Sequence, residues 1–582
     1  MIILTWQLKE KLQKILAEEQ GATVFAPGSR QSFALVYPNT YHVGMSNLGF
    51  QIIYQQINSR GDTACERLFL PDRKTEPEYI RTNTPLMTIE TQRPLYGFSL
   101  IGFSLTFEMD YFNFVNILHL GKVPLLASER EETDPFVIAG GPCATFNPEP
   151  LAEFVDVFII GEGEEVIHEI LDTYYQSRER GLSRKEILHQ LAQLQGVYVP
   201  FFYQVEYKED GTIRKISCPK GIPRHVGRRW IKDLDKYEAQ TVIVTPDTEF
   251  KDMFLIEVAR GCGRHCRFCM AGYCYRNPRV RSLEKLEAAI IKAKKFRSKV
   301  GLMGAAISDY PAIDKLCGII LEQNMHMSVA SLRADTLTED LVNALVTSKH
   351  RTITLAPEAA SIRLRRVINK SITDEHLFDA IKMSIRAGIP HIRLYIMIGL
   401  PYEEQEDIEE IVTMSKNIKD YMESLGSKGR LTLSVNPFIP KPFTPFQWMP
   451  MAQVSVVEAK LKHINSSLRQ RKGIEVLVES PKEAYIQSIL ARGDRRLSAV
   501  LLEAHQRGGS KGFRQAMKLN MLAEEHYLYR QRDQNHEILP WQLLDMGLDP
   551  SYLERELEEA EKEHFTAPCS QGCTRCGICK KG

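Results

Sequence analysis

No run of about 18 consecutive apolar residues occurs in this chain, so nothing in it has the length and hydrophobicity of a membrane-spanning helix. The amino terminus, MIILTWQLKEKLQKILAEEQ, lacks a basic leader, a long apolar centre and a small-residue cleavage site. It reads as an ordinary helix rather than an export signal. Charge of one sign is lacking too: Lys plus Arg number 74 against 73 Asp plus Glu, a net charge of +1. That balance excludes a global electrostatic attraction to nucleic acid and leaves only local patches. Internal repeats and low-complexity tracts are absent as well. With no export signal, the twelve cysteines are expected in a reducing cytoplasm. There, closely spaced thiols bind metal more often than they form disulfides.

What is present is globular. The 582 residues are 43% hydrophobic and 25% charged, enough for three or four cores. In the first third, FALVYP (33–38), SLIGFSLTF (99–107), PFVIAGGP (135–142) and VDVFII (155–160) read as strands alternating with helices. That rhythm implies an α/β, doubly wound parallel sheet over residues 1–200. Its ligands would sit beyond the carboxyl ends of the strands, where the glycine turns AGGP and GEGE fall. The competing reading is that these glycines only make tight turns. Residues 201–245 read as a connector with a hairpin at EDGT. From 246 to 448 six further βα units follow, with strands at 254–258, 300–304, 327–331, 352–356, 392–399 and 431–436. They predict a partial, six-unit β/α barrel with its site at the strand carboxyl ends. Four prolines in NPFIPKPFTPFQW close it. Residues 449–567 read as mostly helical, and 568–582 as a cysteine-rich, metal-binding tail.

Two thiol clusters carry the chemistry. Cys262, Cys266 and Cys269, in C-x3-C-x2-C, follow the first barrel strand directly. Four ligands, with Cys274 as the fourth, would suit zinc. Three on an iron–sulfur cube would leave one iron open. Phe268, just before the third thiol, suits the second case, because an aromatic there can pack on a planar ring. The tail places Cys569, Cys573, Cys576 and Cys579 at C-x3-C-x2-C-x2-C, a closed set that fits zinc or a fully ligated iron–sulfur cluster. Arg575, Lys580 and Lys581 beside it would suit a small RNA-touching knuckle.

The loop motif, placed after the first strand of a six-unit series, resembles the radical S-adenosylmethionine (SAM) superfamily. The resemblance implies a four-iron four-sulfur cluster on Cys262, Cys266 and Cys269, with SAM on the open iron. Cys274 is then a bystander thiol. It implies SAM contacts from Phe268, Gly304, Ser331, Arg333, Glu358 and Arg393. The superfamily's acid after the second-strand glycines is missing beyond Gly304, and Asp309 is no clear replacement. For Arg333 a surface ion pair is the alternative. The segments YPNTYHVGMSNLGFQIIYQQIN, IGFSLTFEMDYFN, IAGGPCATFNPEPLAEFVDVFIIGEGEE and ILARGDRR resemble one bacterial family of this superfamily, which joins a cobalamin-binding-type domain to the barrel. A cobalt-ligating histidine in such domains stands in D-x-H-x-x-G. Here His42 has Thr40 and Met45 in the flanking places, so it is not carried over as a ligand. Cobalamin would bind without histidine, or the fold persists without the cofactor. The expected activity is reductive SAM cleavage and modification of an unidentified substrate, by methyl or sulfur transfer to RNA or protein. The resemblance also implies a flavodoxin- or ferredoxin-type electron donor, and no membrane partner. The alternative is a non-catalytic iron–sulfur or zinc scaffold that binds RNA or a protein. No residue acting on the substrate itself is singled out.

Overall fold

The computed structural model describes residues 2–250 and 252–580; Lys581 and Gly582, part of the expected basic end, lie outside the described residues. The first sheet has six strands: β1 (Gln31–Tyr37), β2 (Thr63–Phe69), β3 (Leu100–Ser104), β4 (Phe136–Gly140), β5 (Val157–Ile159) and β6 (Val197–Tyr198). Their order is β2-β1-β3-β4-β5-β6, parallel except for the β5–β6 pair. The order reverses between β1 and β3, which in doubly wound folds opens a crevice at the strand carboxyl ends. Buried on both faces, these strands are near-continuous apolar runs, as in FALVY and FVIA.

The barrel is built from two parallel sheets. β7 (Phe254–Glu257), β8 (Lys299–Met303) and β9 (His326–Ser328) form one. β10 (Thr352–Glu358), β11 (His391–Ile398), β12 (Leu431–Pro437) and β13 (Ile474–Val478) form the other. A bridge between Leu332 and Leu355 joins them into one curved surface. The alternation in β11 shows how sequence sets direction: Ile392, Leu394, Ile396 and Ile398 are fully buried in the core, while Arg393, Tyr395 and Met397 take the opposite face.

The structure adds two features. A seventh parallel strand, β13, pairs with β12 beyond residue 448, within a stretch 449–567 that is otherwise mostly helical. IEVLV is short, half-exposed and flanked by helices, which hides it from a periodicity reading. In addition, the carboxyl-terminal helices share their core with the first sheet: Leu497, Val500, Leu501 and Phe513 pack in the same buried cluster as Phe114 and Phe154. The barrel has its own core, running from Val244 to Leu468.

Candidate active site between the two sheets

The cysteine loop leaves the carboxyl end of β7. Its base is closed by an antiparallel pairing of Ala259–Arg260 with Arg279–Val280. Gly261 has φ +82°, and a Cβ there would stand 2.1 Å from the Tyr275 carbonyl oxygen, so the turn requires glycine. Burial pushes the Cys262 thiol up, and its neighbour Cys266 adds to this. Burial likewise pushes Cys269 up to about 12, with Cys266 and Cys262 raising it further. Thiols that oppose one another's ionisation become thiolates together only against a cation, which is the chemistry of a metal-cluster donor set. Among the described residues, no three histidine, cysteine or carboxylate side chains converge closely enough to hold one ion. In a cube each thiolate holds its own iron, so the donors need not meet at a point. Cys274 is buried in the core of the first sheet.

A cavity of about 770 Å³ opens over the carboxyl ends of β10–β13. Phe268 and Met270 of the cysteine loop wall it on one side, and Glu358, Tyr395 and Met397 on another. Glu358 holds φ +67° at a bulge in β10 and pairs with Lys370 at 3.4 Å. A non-glycine residue in that region is strained, and such strain gathers at functional sites. Arg393 shares a strand face with Tyr395 and Met397, and its buried Nε has no hydrogen-bond partner among the described residues. Arg333 is bidentate to Asp335 (2.9 and 2.8 Å) and also donates to Ser371. Arg333 is buried, so this pair is internal and not the surface ion pair set against the SAM-contact reading. Asp309 is likewise taken, by Arg264. Ser331 is exposed, and Gly304 lines a different cavity. Sequence reasoning missed the first domain's contribution here: Phe107 reaches the cavity wall, and Glu108 pairs with Lys441 and accepts from Gln487 at 2.8 Å. The signal was available, since LTFEMD directly follows a strand at its carboxyl end.

The second cavity, about 470 Å³, lies between the two sheets. Ser104, Gly140, Gly141 and Gly161 wall it from the carboxyl edge of the first sheet, and Glu257, Ala259, Met303 and Gly304 from the barrel. The GEGE turn fastens its rim. Arg260 pairs with Glu162 (3.1 Å), Glu164 (2.8 Å) and Glu257 (2.9 Å), and Arg279 with Glu162 (2.6 Å). Burial alone would raise the Glu162 carboxyl, but the Arg279 and Arg260 guanidiniums hold it below the usual carboxylate range. His42 does not line the cavity. Its Nδ1 is 2.8 Å from Asp247 and its Nε2 3.3 Å from Glu249.

The tail folds back onto the cysteine loop. The Cys569 N–H donates to the Gly263 carbonyl at 2.7 Å. Arg575 donates to Cys573 Sγ (3.4 Å) and to the Ala567 and Pro568 carbonyls, and it stays exposed beside the thiols. Its hydrogen bond brings the Cys573 thiol down to about 7. Cys576 is buried and Cys579 exposed.

A parallel β/α barrel with a three-thiol loop at its first strand end, facing a doubly wound sheet, defines a class of cluster-dependent enzyme. Residues 256–414 match the family model of the radical SAM superfamily, and residues 49–200 that of the amino-terminal region of radical SAM proteins. The uncharacterized protein MJ0966 of Methanocaldococcus jannaschii is 31% identical over 475 residues, 81% of this chain and 90% of that one. The uncharacterized methyltransferase PH0819 of Pyrococcus horikoshii is 26% identical, covering 49% of this chain and 58% of its own. The tRNA-2-methylthio-N(6)-dimethylallyladenosine synthase of Natranaerobius thermophilus is 24% identical over 28% of this chain and 39% of its own. The solved structure of the radical SAM methyltransferase TsrM from Kitasatospora setae, with cobalamin and a 4Fe-4S cluster bound, aligns with a TM-score of 0.47 at 11% identity, over 84% of this chain and 99% of that one. The chain belongs to the radical SAM superfamily and is a radical SAM enzyme. No helix among the described residues is long and apolar enough to cross a membrane.

Proposed function

We propose that this chain is a radical SAM transferase that moves a methyl or methylthio group to an RNA or protein substrate, with a corrinoid in the cavity between its sheets. One observation carries the reading: the carboxyl edges of a doubly wound sheet and a radical SAM barrel face each other across a cavity of about 470 Å³. A nucleotide-tailed cofactor fits a crevice at such a switch point. The relatives named as a methyltransferase and as a tRNA methylthio-modifying synthase support group transfer. When bound, the cluster and SAM supply one-electron cleavage, and the corrinoid supplies a methyl carrier.

The chain's own residues do the rest. Cys262, Cys266 and Cys269 would hold the cluster and leave one iron for SAM. Phe268 and Met270 would hold the adenosyl end against the wall of the larger cavity, where Glu358 faces a hydroxyl or ammonium group. Arg393 offers a donor from the barrel face, a suitable partner for a carboxylate. Thr106 lines one cavity and Phe107 the other, so one loop of the first domain borders both. The arginine–glutamate clamp at the rim fixes the GEGE turn of the first domain to the barrel.

The reading is tested with anaerobically reconstituted protein. Reduced protein should release 5′-deoxyadenosine or S-adenosylhomocysteine from SAM and bind a corrinoid with an unchanged spectrum in His42→Ala. Methyl-labelled SAM fed to cell extract should mark either bulk RNA or bulk protein. A protein that turns over no SAM would be the non-catalytic scaffold. Lack of corrinoid binding would remove that cofactor and leave methylthio transfer.

A further inference from the structure

Two thiol sets more than 290 residues apart in sequence meet in the fold. One peptide unit separates Cys262 from the Gly263 carbonyl, and that carbonyl accepts from the Cys569 N–H at 2.7 Å. A Cβ on Gly263 would stand 3.2 Å from the Cys569 Cβ, so the backbones approach as closely as a glycine permits. The contact is clamped rather than incidental. The Asn369 side chain donates to the His265 and Thr566 carbonyls (both 3.1 Å) and accepts from the Thr566 N–H at 2.9 Å. The fully buried Arg267 donates to Val367 on the barrel and to His564 on the tail, each at 2.9 Å. The His265 ring lies between Tyr552 and Arg276. Of the four tail thiols, Cys576 is buried and Cys579 faces solvent.

We propose that Cys569, Cys573, Cys576 and Cys579 hold a second iron–sulfur centre, and that the Cys569–Gly263 hydrogen bond links it to the loop centre for electron delivery. This rests on the reading of Cys262, Cys266 and Cys269 as cluster ligands. The tail set is closed, so it has no open iron for SAM and is fitted to relay rather than to cleave. Zinc would draw the same four donors onto one ion, closer than any three thiols stand among the described residues, and it carries no electron. A contact made at a ligand residue on one side and next to a ligand on the other is what transfer requires. One electron leaves a reduced flavodoxin- or ferredoxin-type protein and enters at the exposed edge near Cys579. It then passes to the loop centre, which ends reduced by one while the tail centre regains its starting oxidation state.

The test uses full-length protein reconstituted anaerobically, with elemental analysis and electron paramagnetic resonance. The full chain should hold about eight irons, and after full reduction its two signals should be split by spin–spin coupling. A Cys573→Ser/Cys576→Ser protein should hold half the iron, show one unsplit signal, and be reduced by dithionite but far more slowly by flavodoxin. Asn369→Ala leaves every thiol in place and should keep the iron while weakening the splitting, which holds the idea to account if the double variant does not fold. Zinc in the tail, or two magnetically isolated signals, overturns the proposal alone. A double variant without any iron overturns the loop assignment with it.

Discussion

The two carboxyl edges that face each other across the central cavity are made differently. On the barrel side chemistry resides in side chains: three thiols and an aromatic on one loop, and a carboxylate at one strand end. On the first sheet's side it resides in shape: glycine turns, apolar strand ends and backbone. The difference explains why one edge announces itself and the other does not. Thiol spacing is a chemical requirement and survives in the linear sequence, whereas a surface built from shape leaves only glycines.

The largest effect should come from the barrel edge. Replacing Cys262, Cys266 and Cys269 by alanine should abolish SAM turnover completely while leaving corrinoid binding to the first domain intact. Anaerobic assays of nucleoside release and absorbance titration read the two separately. If both are lost together, the edges are one site and the contrast drawn above is wrong.

Breaking the clamp between the edges comes next. Glu162→Gln removes the anion shared by Arg260 and Arg279. Because Arg260 keeps Glu164 and Glu257, the loss should be about 3 kcal/mol, at the low end for one partner of a buried pair. Glu162 and Glu257 are both held below the ordinary carboxylate range by their arginines, in opposition to burial. Their contribution is therefore fully present above the unfolded value, near 4.5, and lost only as pH falls through the lower folded value. Chemical denaturation should show the variant's deficit in full at pH 7 and most of it still at pH 4, with its loss only in more acidic solution. A smaller effect, about 2 kcal/mol, is expected of Gly161→Ala, where φ is +108° and a Cβ would stand 2.0 Å from the Arg229 oxygen. That change alters only shape, so it should weaken corrinoid binding and leave SAM turnover without corrinoid untouched.

The strands were legible where burial writes itself as apolar runs or strict alternation, as in β1, β4 and β11. β2 was not, because TACERLF carries charge. Its Arg67 is fully buried, paired with Glu19 at 2.6 Å and Glu90 at 2.7 Å, partners that lie far along the chain. A charged residue satisfied by distant partners looks like surface in the linear sequence. The same holds for Asn369 and Arg267, whose work is to bind backbone carbonyls of the tail. The thiols were legible, but the meeting of their two sets was not, since it depends on one glycine and one asparagine. For SAM contacts the strand-end rule gave Phe268 and Glu358 a common cavity, while Arg333 went to its own Asp335, two residues on.

The loop that borders both cavities permits the finest test. Asp110 ends it, buried, with Oδ1 accepting from Asn39 (2.8 Å) and Asn113 (3.3 Å). Burial pushes its carboxyl up to about 6, against the two amide hydrogen bonds that favour the anion. Folding thus prefers the protonated form. The group's contribution is complete below the unfolded value, near 4, and disappears as pH rises through about 6. At neutral pH the protein carries a buried carboxylate at a cost of about 3 kcal/mol, the rise from near 4 to about 6 converted at about 1.36 kcal/mol per pH unit. Asp110→Asn keeps the accepting oxygen and never ionises, so it should be more stable than the parent by that amount at pH 8 and no more stable at pH 4. Equal stability at both values would mean that water reaches the carboxylate through the larger cavity. The first domain's edge would then be wet where it meets the barrel, and the contrast between a shape-built edge and a chemistry-built one would have to be redrawn at this loop.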